Sequence, residues 1–115
     1  MPDDFSFGKT HRIRSGRDFA RIKDRGKRRA SEHFILLSMK NALEEKRLGI
    51  IATRKVGKAN VRNRWKRYIK EFFRLNKKIF PESTDFVFII KRGSQKPYDF
   101  AVISEELKAL VGGTK

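Results

Sequence analysis

Between Thr53 and Lys78 the chain carries eleven basic residues and one acidic residue, Glu71. Lys55 and Lys58 flank Gly57, and Arg62, Arg64, Lys66, Arg67 and Lys70 follow on a stretch free of Pro and Gly, with Asn63 between the first two. These are phosphate-binding groups: Arg presents a planar fork of donors, Lys a point charge, and Asn a neutral donor and acceptor. Gly57 can take a backbone conformation closed to other residues, and the amides after it form the positive end of a helix, where phosphate is already favoured. Bond breaking needs other groups. Phosphodiester hydrolysis by protein side chains calls for clustered carboxylates holding two metals, or a histidine pair. Here His11 and His33 stand alone in the sequence, while Asp18, Asp24, Glu71 and Glu105 lie beside Lys or Arg and read as ion-pair partners. No catalytic residue and no metal site is expected in the protein.

The 115 residues hold 29 Lys and Arg against 13 Asp and Glu, a formal charge of +16, and two segments supply all of the excess. Lys9 to Arg29 has ten basic and two acidic residues; Ala30 to Ala52 and Ile79 to Lys115 are each balanced. A merely soluble surface is served by interspersed signs and a modest net charge, whereas two concentrated cationic segments raise the local concentration of a polyanion and speed its encounter. Nucleic acid is the expected partner. Ten Phe and one Trp give enough apolar mass for a core, so one domain over 1–115 is expected, with 1–8 a flexible arm and 112–115 a flexible tail. With no Cys, disulfides and thiolate metal sites are excluded, and the usage fits a reducing cytoplasm. The longest apolar run, Phe86 to Ile90, falls far short of a membrane span of about 18 residues, and the acidic start is unlike a signal peptide.

The elements that must position these cations follow from periodicity. Phe19 and Ile22, among charged neighbours, suit a short basic helix over Arg17 to Asp24, ended by Gly26. Glu32 to Met39 and Leu48 to Ala52 read as strands joined by the polar turn Lys40 to Lys46, and are expected to pair as a hairpin. Over Lys58 to Lys78, Val61, Trp65, Tyr68 and Phe72 fall within about 60° of one another on a helix, with Asn63, Lys66, Arg67, Lys70 and Arg74 opposite. Phe86 to Ile90 reads as a strand buried on both faces, Lys91 to Pro97 as a loop, and Asp99 as the cap of a final helix with Val102, Ile103, Leu107, Leu110 and Val111 toward the core. The fold class is α+β: a two-layer α-β sandwich with a small sheet of three to four strands, in the order α-β-β-(β)-α-β-α. The long basic helix crosses between strands. If those are parallel, the general rule makes the crossover right-handed.

The residue order is more specific than its charge. Lys55-Val-Gly57-Lys-Ala59 followed by Arg62-Asn63-Arg64-Trp65-Lys66-Arg67 resembles the signature of the protein component of bacterial ribonuclease P, as do Arg47-Leu-Gly49 and the segment from Arg12-Ile-Arg14 through Asp18-Phe19 to Gly26. Four positions depart from the family pattern: Lys70 where Arg is usual, Asn60 where an apolar residue is common, and Lys23 and Leu37 where an aromatic often sits.

The resemblance implies a subunit of an endoribonuclease that removes the 5′ leader of precursor transfer RNA. The chemistry and the magnesium ions then belong to the RNA subunit, and the protein holds no cofactor. It implies that Lys55, Lys58, Arg62, Asn63, Arg64, Arg67 and Lys70 face the RNA subunit. Phe19, Phe34, Arg62 and Lys66 would border a cleft where the single-stranded leader stacks, with plain core packing the alternative for the two Phe. The implied partners are the catalytic RNA and precursor transfer RNA, in the cytoplasm, with no membrane and no obligate protein partner. The implied crossover is left-handed, against the general rule. The main alternative is a non-catalytic ribosomal or chaperone-like RNA-binding protein.

Overall fold

The computed structural model describes residue 13, residues 16–92 and residues 99–112. The elements run α1 (Gly16–Arg25), β1 (Lys27–Ala30), β2 (Phe34–Lys40), β3 (Arg47–Ile51), α2 (Ala59–Leu75), β4 (Thr84–Ile90) and α3 (Phe100–Gly112), with single 3-10 turns at Arg54–Val56 and Lys77–Ile79. This is the expected order with the additional strand present as β1. The arm 1–8, His11, most of the loop after Lys91 and the tail beyond Gly112 lie outside the described residues; Gly112 itself closes α3.

The sheet order is β1-β2-β4-β3. β2 pairs antiparallel with β1 and β4, and β3 pairs parallel with β4, Gly49 opposite Val87. The expected hairpin of β2 and β3 is therefore corrected, because β4 lies between them. The reason is the composition of β4, apolar on successive residues and buried along nearly its whole length, so that only a central position covers both its faces. The turn between β2 and β3 is too long to impose the register of a tight hairpin.

One face of the sheet, with Phe34, Leu36, Leu48, Phe86, Phe88 and Ile90, packs against Trp65, Ile69, Phe72 and Phe73 of α2 and Ile103, Leu107, Leu110 and Val111 of α3. The other, with Leu37 and Val87, takes Ile13 and Ile22, so α1 adds a partial third layer to the sandwich. Phe80, after α2, meets the rings of Phe72, Phe73 and Phe86 edge-on, with centroids 5.8, 4.8 and 5.0 Å away, each pair worth about 1 kcal/mol beyond its burial. Buried Lys46 donates its ammonium protons to the carbonyls of Lys77 and Phe80, the latter at 2.9 Å, and ties the end of the α2 segment to the β2–β3 turn.

Two hydrogen bonds fix the hand of the β3-α2-β4 crossover. Lys91 N–H donates to His33 O, so odd-numbered residues of β4 turn their amides toward β2 and even-numbered ones toward β3. The even residues Phe86 and Phe88 point their side chains at α2. Viewed from α2 with β4 running upward, an L-residue whose side chain faces the viewer directs its own N–H and C=O to the right. β3 thus lies to the right of β4, and the chain passes from right to left in front of the sheet: the crossover is left-handed. Leu48 agrees, since its side chain faces α2 and its carbonyl accepts from Ile13 N–H on the outer edge. The right-handed expectation fails and the left-handed one implied by the resemblance holds.

Candidate nucleic-acid interface

The site is built on the crossover. Gly57, after the 3-10 turn, has φ 157° and ψ −168°, a region open in practice only to glycine. Arg62 Nε donates to Gly57 O at 3.2 Å and Arg62 N–H to Lys58 O at 3.0 Å, locking turn to helix. No side chain caps the helix from Lys58; Asn60 Oδ1 accepts from Val61 N–H at 3.0 Å. A polar residue at that departure from the family pattern therefore serves a local hydrogen bond. Along α2, Trp65, Ile69, Phe72 and Phe73 are buried, while Asn63, Arg67 and Lys70 are exposed on one stripe. Lys55 and Lys58 are exposed beside the turn; Arg62, Arg64 and Lys66 are half-buried at the flanks. Arg74 instead pairs with Glu71, whose carboxyl is held below its ordinary range chiefly by the Arg74 hydrogen bond.

Beside this stripe runs an open cavity of about 200 Å³ along the outer edge of β3, lined by Ile13, Phe19, Leu48, Gly49, Ile50, Lys66 and Lys70. It lies between α1, the sheet and α2, and of the four residues expected to border a cleft it brings together Phe19 and Lys66. Two expected members are absent. Phe34 is 0% exposed, edge-on to Trp65 and Phe88 with centroids 5.4 and 6.2 Å away; its even position in β2 points it into the α2 core, so it offers no ring face. Arg62 is drawn to the glycine turn instead. Leu37 is likewise buried, on the α1 side, and Lys23 is exposed on α1. Lys70, expected only on the RNA-facing stripe, also lines the cavity. Ile13, Leu48 and Ile50 were missed, because which strand lies at the margin of the sheet has no signature in spacing.

Gly49 and a charge network set the position of Phe19. A Cβ on Gly49 would stand 2.8 Å from Phe19 Cε1 and Cζ, so the ring rests directly on the strand backbone. Asp18, one residue earlier, meets Arg21 at 3.0 Å and Arg47 at 3.4 Å. Arg47 makes a two-pronged contact with Asp85, Nε to Oδ1 at 2.8 Å and a terminal nitrogen to Oδ2 at 2.7 Å, and Asn41 donates to Asp85 Oδ1 at 2.8 Å. The Asp85 hydrogen bond, outweighing burial, holds Arg47 still more firmly in its charged form. One chain of contacts thus fixes α1 to β3 and β4.

His33 is not isolated, contrary to its reading from sequence. Its backbone N–H and Nδ1 meet Glu106 at 2.8 and 2.7 Å, and Ser31 Oγ donates to the same carboxylate. Burial opposes the Glu106 charge, but hydrogen bonds from Ser31 and His33 outweigh it and hold the carboxyl below its ordinary value. The group clips α3 to the β1–β2 turn, and Ser31 bonds to the acid rather than to the imidazole, so it is no nucleophile–base pair. The sequence separation of more than 70 residues hid the pairing. Asp18, Glu71 and Glu105 are ion-pair partners as expected, Glu105 with Lys108 at 3.7 Å. Among the described residues no three of His, Asp or Glu gather to hold a metal ion, and no helix is long and apolar enough to cross a membrane.

Known proteins share this fold. The family model described as Ribonuclease P matches residues 7–115. A ribonuclease P protein component from Thermotoga maritima is 39% identical over 109 residues, covering 92% of this chain and 93% of its own. One from Syntrophus aciditrophicus is 43% identical over 103 residues, covering 90% and 86%. Among solved structures, the Thermotoga maritima RNase P protein superposes with a TM-score of 0.83 at 37% identity, over 90% of this chain and 97% of that one. The Staphylococcus aureus RNase P protein reaches 0.81 at 30% identity, over 90% and 94%. With sequence, fold and the cationic crossover in agreement, the chain belongs to the ribonuclease P protein family, as a protein component of that endoribonuclease.

Proposed function

We propose that the exposed stripe on α2 grips the catalytic RNA while the β3-edge cavity holds the single-stranded leader of precursor transfer RNA. Lys55, Lys58, Asn63, Arg64, Arg67 and Lys70 face the RNA, and Arg62 holds the glycine turn from which the helix starts while lying at the edge of the same surface. Phe19 stacks a leader base, and Lys66 and Lys70 neutralise its phosphates. The observation that carries this reading is the convergence, in one open cavity, of an aromatic ring from α1 and two lysines from α2 beside the exposed cationic stripe.

Magnesium and the cleavage step are assigned to the RNA subunit, since Asp18, Glu71, Asp85 and Glu106 are each engaged with Arg or His and no three of the described His, Asp or Glu gather. The protein's cations offset phosphate repulsion between substrate and ribozyme, which lowers the magnesium the complex needs. We assign it to the cytoplasm, where precursor transfer RNA is made, as one domain acting without an obligate protein partner. The relatives favour this over a ribosomal or chaperone-like RNA-binding protein.

Reconstitution with a bacterial ribonuclease P RNA at limiting magnesium tests the reading: the protein should restore cleavage, and none should occur with protein alone. Lys66→Ala should weaken a leader-bearing precursor more than mature transfer RNA. Equal weakening of both removes the leader from the cavity.

A further inference from the structure

On the far side of β4 from the leader cavity lies a second cavity, of about 340 Å³, at the end of the sheet where β1 and β4 begin and β2 stops. It is lined by Arg25, Lys27, Ser38, Met39, Lys40, Pro81 and Thr84, three cations and no carboxylate. The register explains the gathering: Lys27 is opposite Ser38, Lys40 is opposite Thr84, and Arg25 ends α1 just before β1. Elsewhere Arg21, Lys46, Arg47, Arg74 and Lys108 each meet a carboxylate. Arg25, Lys27 and Lys40 meet none among the described residues. In this they match Lys55, Lys58, Arg64, Lys66 and Arg67 of the proposed interface.

A second observation is independent of charge. Ser38 is only 6% exposed and lines the cavity, yet its hydroxyl makes no hydrogen bond to any described residue. Thr84 is buried too, but its hydroxyl is satisfied by Glu82 O at 2.9 Å. Buried polar groups are nearly always hydrogen-bonded, so the Ser38 hydroxyl is open to a partner, water or ligand, that enters the cavity. Charged residues on the edge strand β1 have a simpler use in blocking strand addition. That accounts for Lys27, Arg28 and Arg29, but not for Arg25 and Lys40, which belong to other elements and line the same cavity as Ser38.

We propose that this cavity binds a phosphate of an RNA backbone, giving the chain a second RNA contact separate from both α2 and the leader cleft. The inference rests on the function proposed above. A polynucleotide fits better than a lone phosphate because the cations come from three elements, α1, β1 and β2, around one opening. The volume is that of about eleven waters, which leaves room for the sugars flanking a phosphate.

The test uses the full chain and a bacterial ribonuclease P RNA, with affinity measured from 50 to 200 mM salt. The triple variant Arg25→Ala/Lys27→Ala/Lys40→Ala should flatten the slope of log affinity against log salt by about 0.7 to 0.9, the share of the one phosphate lost. A control, Lys78→Ala/Arg92→Ala/Lys108→Ala, removes the same charge from other surfaces and should leave the slope within about 0.3 of the original. In the unaltered protein the amide resonances of Ser38 and Thr84 should shift with a single-stranded RNA, and less with inorganic phosphate at the same phosphate concentration; this measurement needs no variant to fold. An unchanged slope, an equal effect of the control, or a response to inorganic phosphate alone overturns the proposal. If Arg67→Ala flattens the slope and the triple variant does not, only the second contact fails. If the unaltered protein neither binds the RNA nor restores its cleavage, the functional reading fails with it.

Discussion

A methyl group added at Gly49 separates the leader cleft from the stability of the fold. Its carbon would stand 2.8 Å from two ring atoms of Phe19 and 3.4 Å from Ile13 Cδ1. Carbon contacts are optimal at about 3.5 to 4.0 Å, so the ring has to retreat by about 1 Å. What yields is the far end of a half-buried side chain with solvent beside it, not the backbone of β3. The cost to stability then sits at the low end of overpacking, about 1 kcal/mol, or a fall in Tm of about 4 °C for a domain of this size. The cost to function is larger. A displaced Phe19 forfeits a base stack worth about 1 to 3 kcal/mol, so Gly49→Ala should lower the preference for leader-bearing precursor over mature transfer RNA by about 5- to 150-fold. Competition binding in the reconstituted complex, beside a thermal melt of the protein, reads both. An undiminished preference in Gly49→Ala and in Phe19→Ala refutes the stacking role; a fall in Tm beyond about 10 °C shows the ring to be a core plug instead.

Asp85→Asn breaks the two-pronged contact with Arg47 at a position 1% exposed. It should cost about 3 kcal/mol, seen as a lower urea midpoint at unchanged slope. Glu106 has its carboxyl held below its ordinary value of 4.5 in the folded chain, so its contribution is present above about pH 4.5 and is lost as pH falls through the lowered folded value. Urea unfolding from pH 7 down to 3 should show this loss, and Glu106→Gln should flatten it while lowering stability at pH 7. If the α2 stripe contacts about six phosphates, affinity for the RNA subunit should drop by roughly a thousandfold between 50 and 200 mM salt; a drop below tenfold would mean that the stripe does not carry the binding.

What could be read in the sequence was whatever is periodic. The faces of α2 were legible because Trp65 and Phe72, seven residues apart, share one side, and β4 because its burial is continuous. What could not be read was set by long-range pairing. Nothing near β2 says that its neighbour is β4, more than 40 residues on, rather than β3. Separations of 38 and 73 residues hid Arg47 with Asp85 and His33 with Glu106. Phe34 shows the limit at one residue: an aromatic near the start of a strand suits a cleft or a core equally, and only the strand's register, which puts it opposite Ile90 on the α2 side, decides for the core.

The division between paired and unpaired cations carries the functional argument further than the net charge does. A guanidinium already engaged with a carboxylate has to give up that contact to take a phosphate, so its gain is reduced by the bond it loses. Arg47, charged and donating two hydrogen bonds to Asp85, is thereby committed to holding β3 against β4, and Arg74 to Glu71. Lys55, Lys58, Arg64, Lys66 and Arg67 have no such competitor among the described residues and meet an incoming phosphate with only their hydration to lose. Reversing the sign of one paired and one unpaired position should separate the two classes. Arg47→Glu sets a second acid beside Asp85 and should unfold the chain, whereas Arg67→Glu, on an exposed position, should leave the melt within about 0.5 kcal/mol of the original while weakening RNA binding at low salt. If Arg67→Glu unfolds the protein as Arg47→Glu does, pairing does not distinguish scaffold from interface.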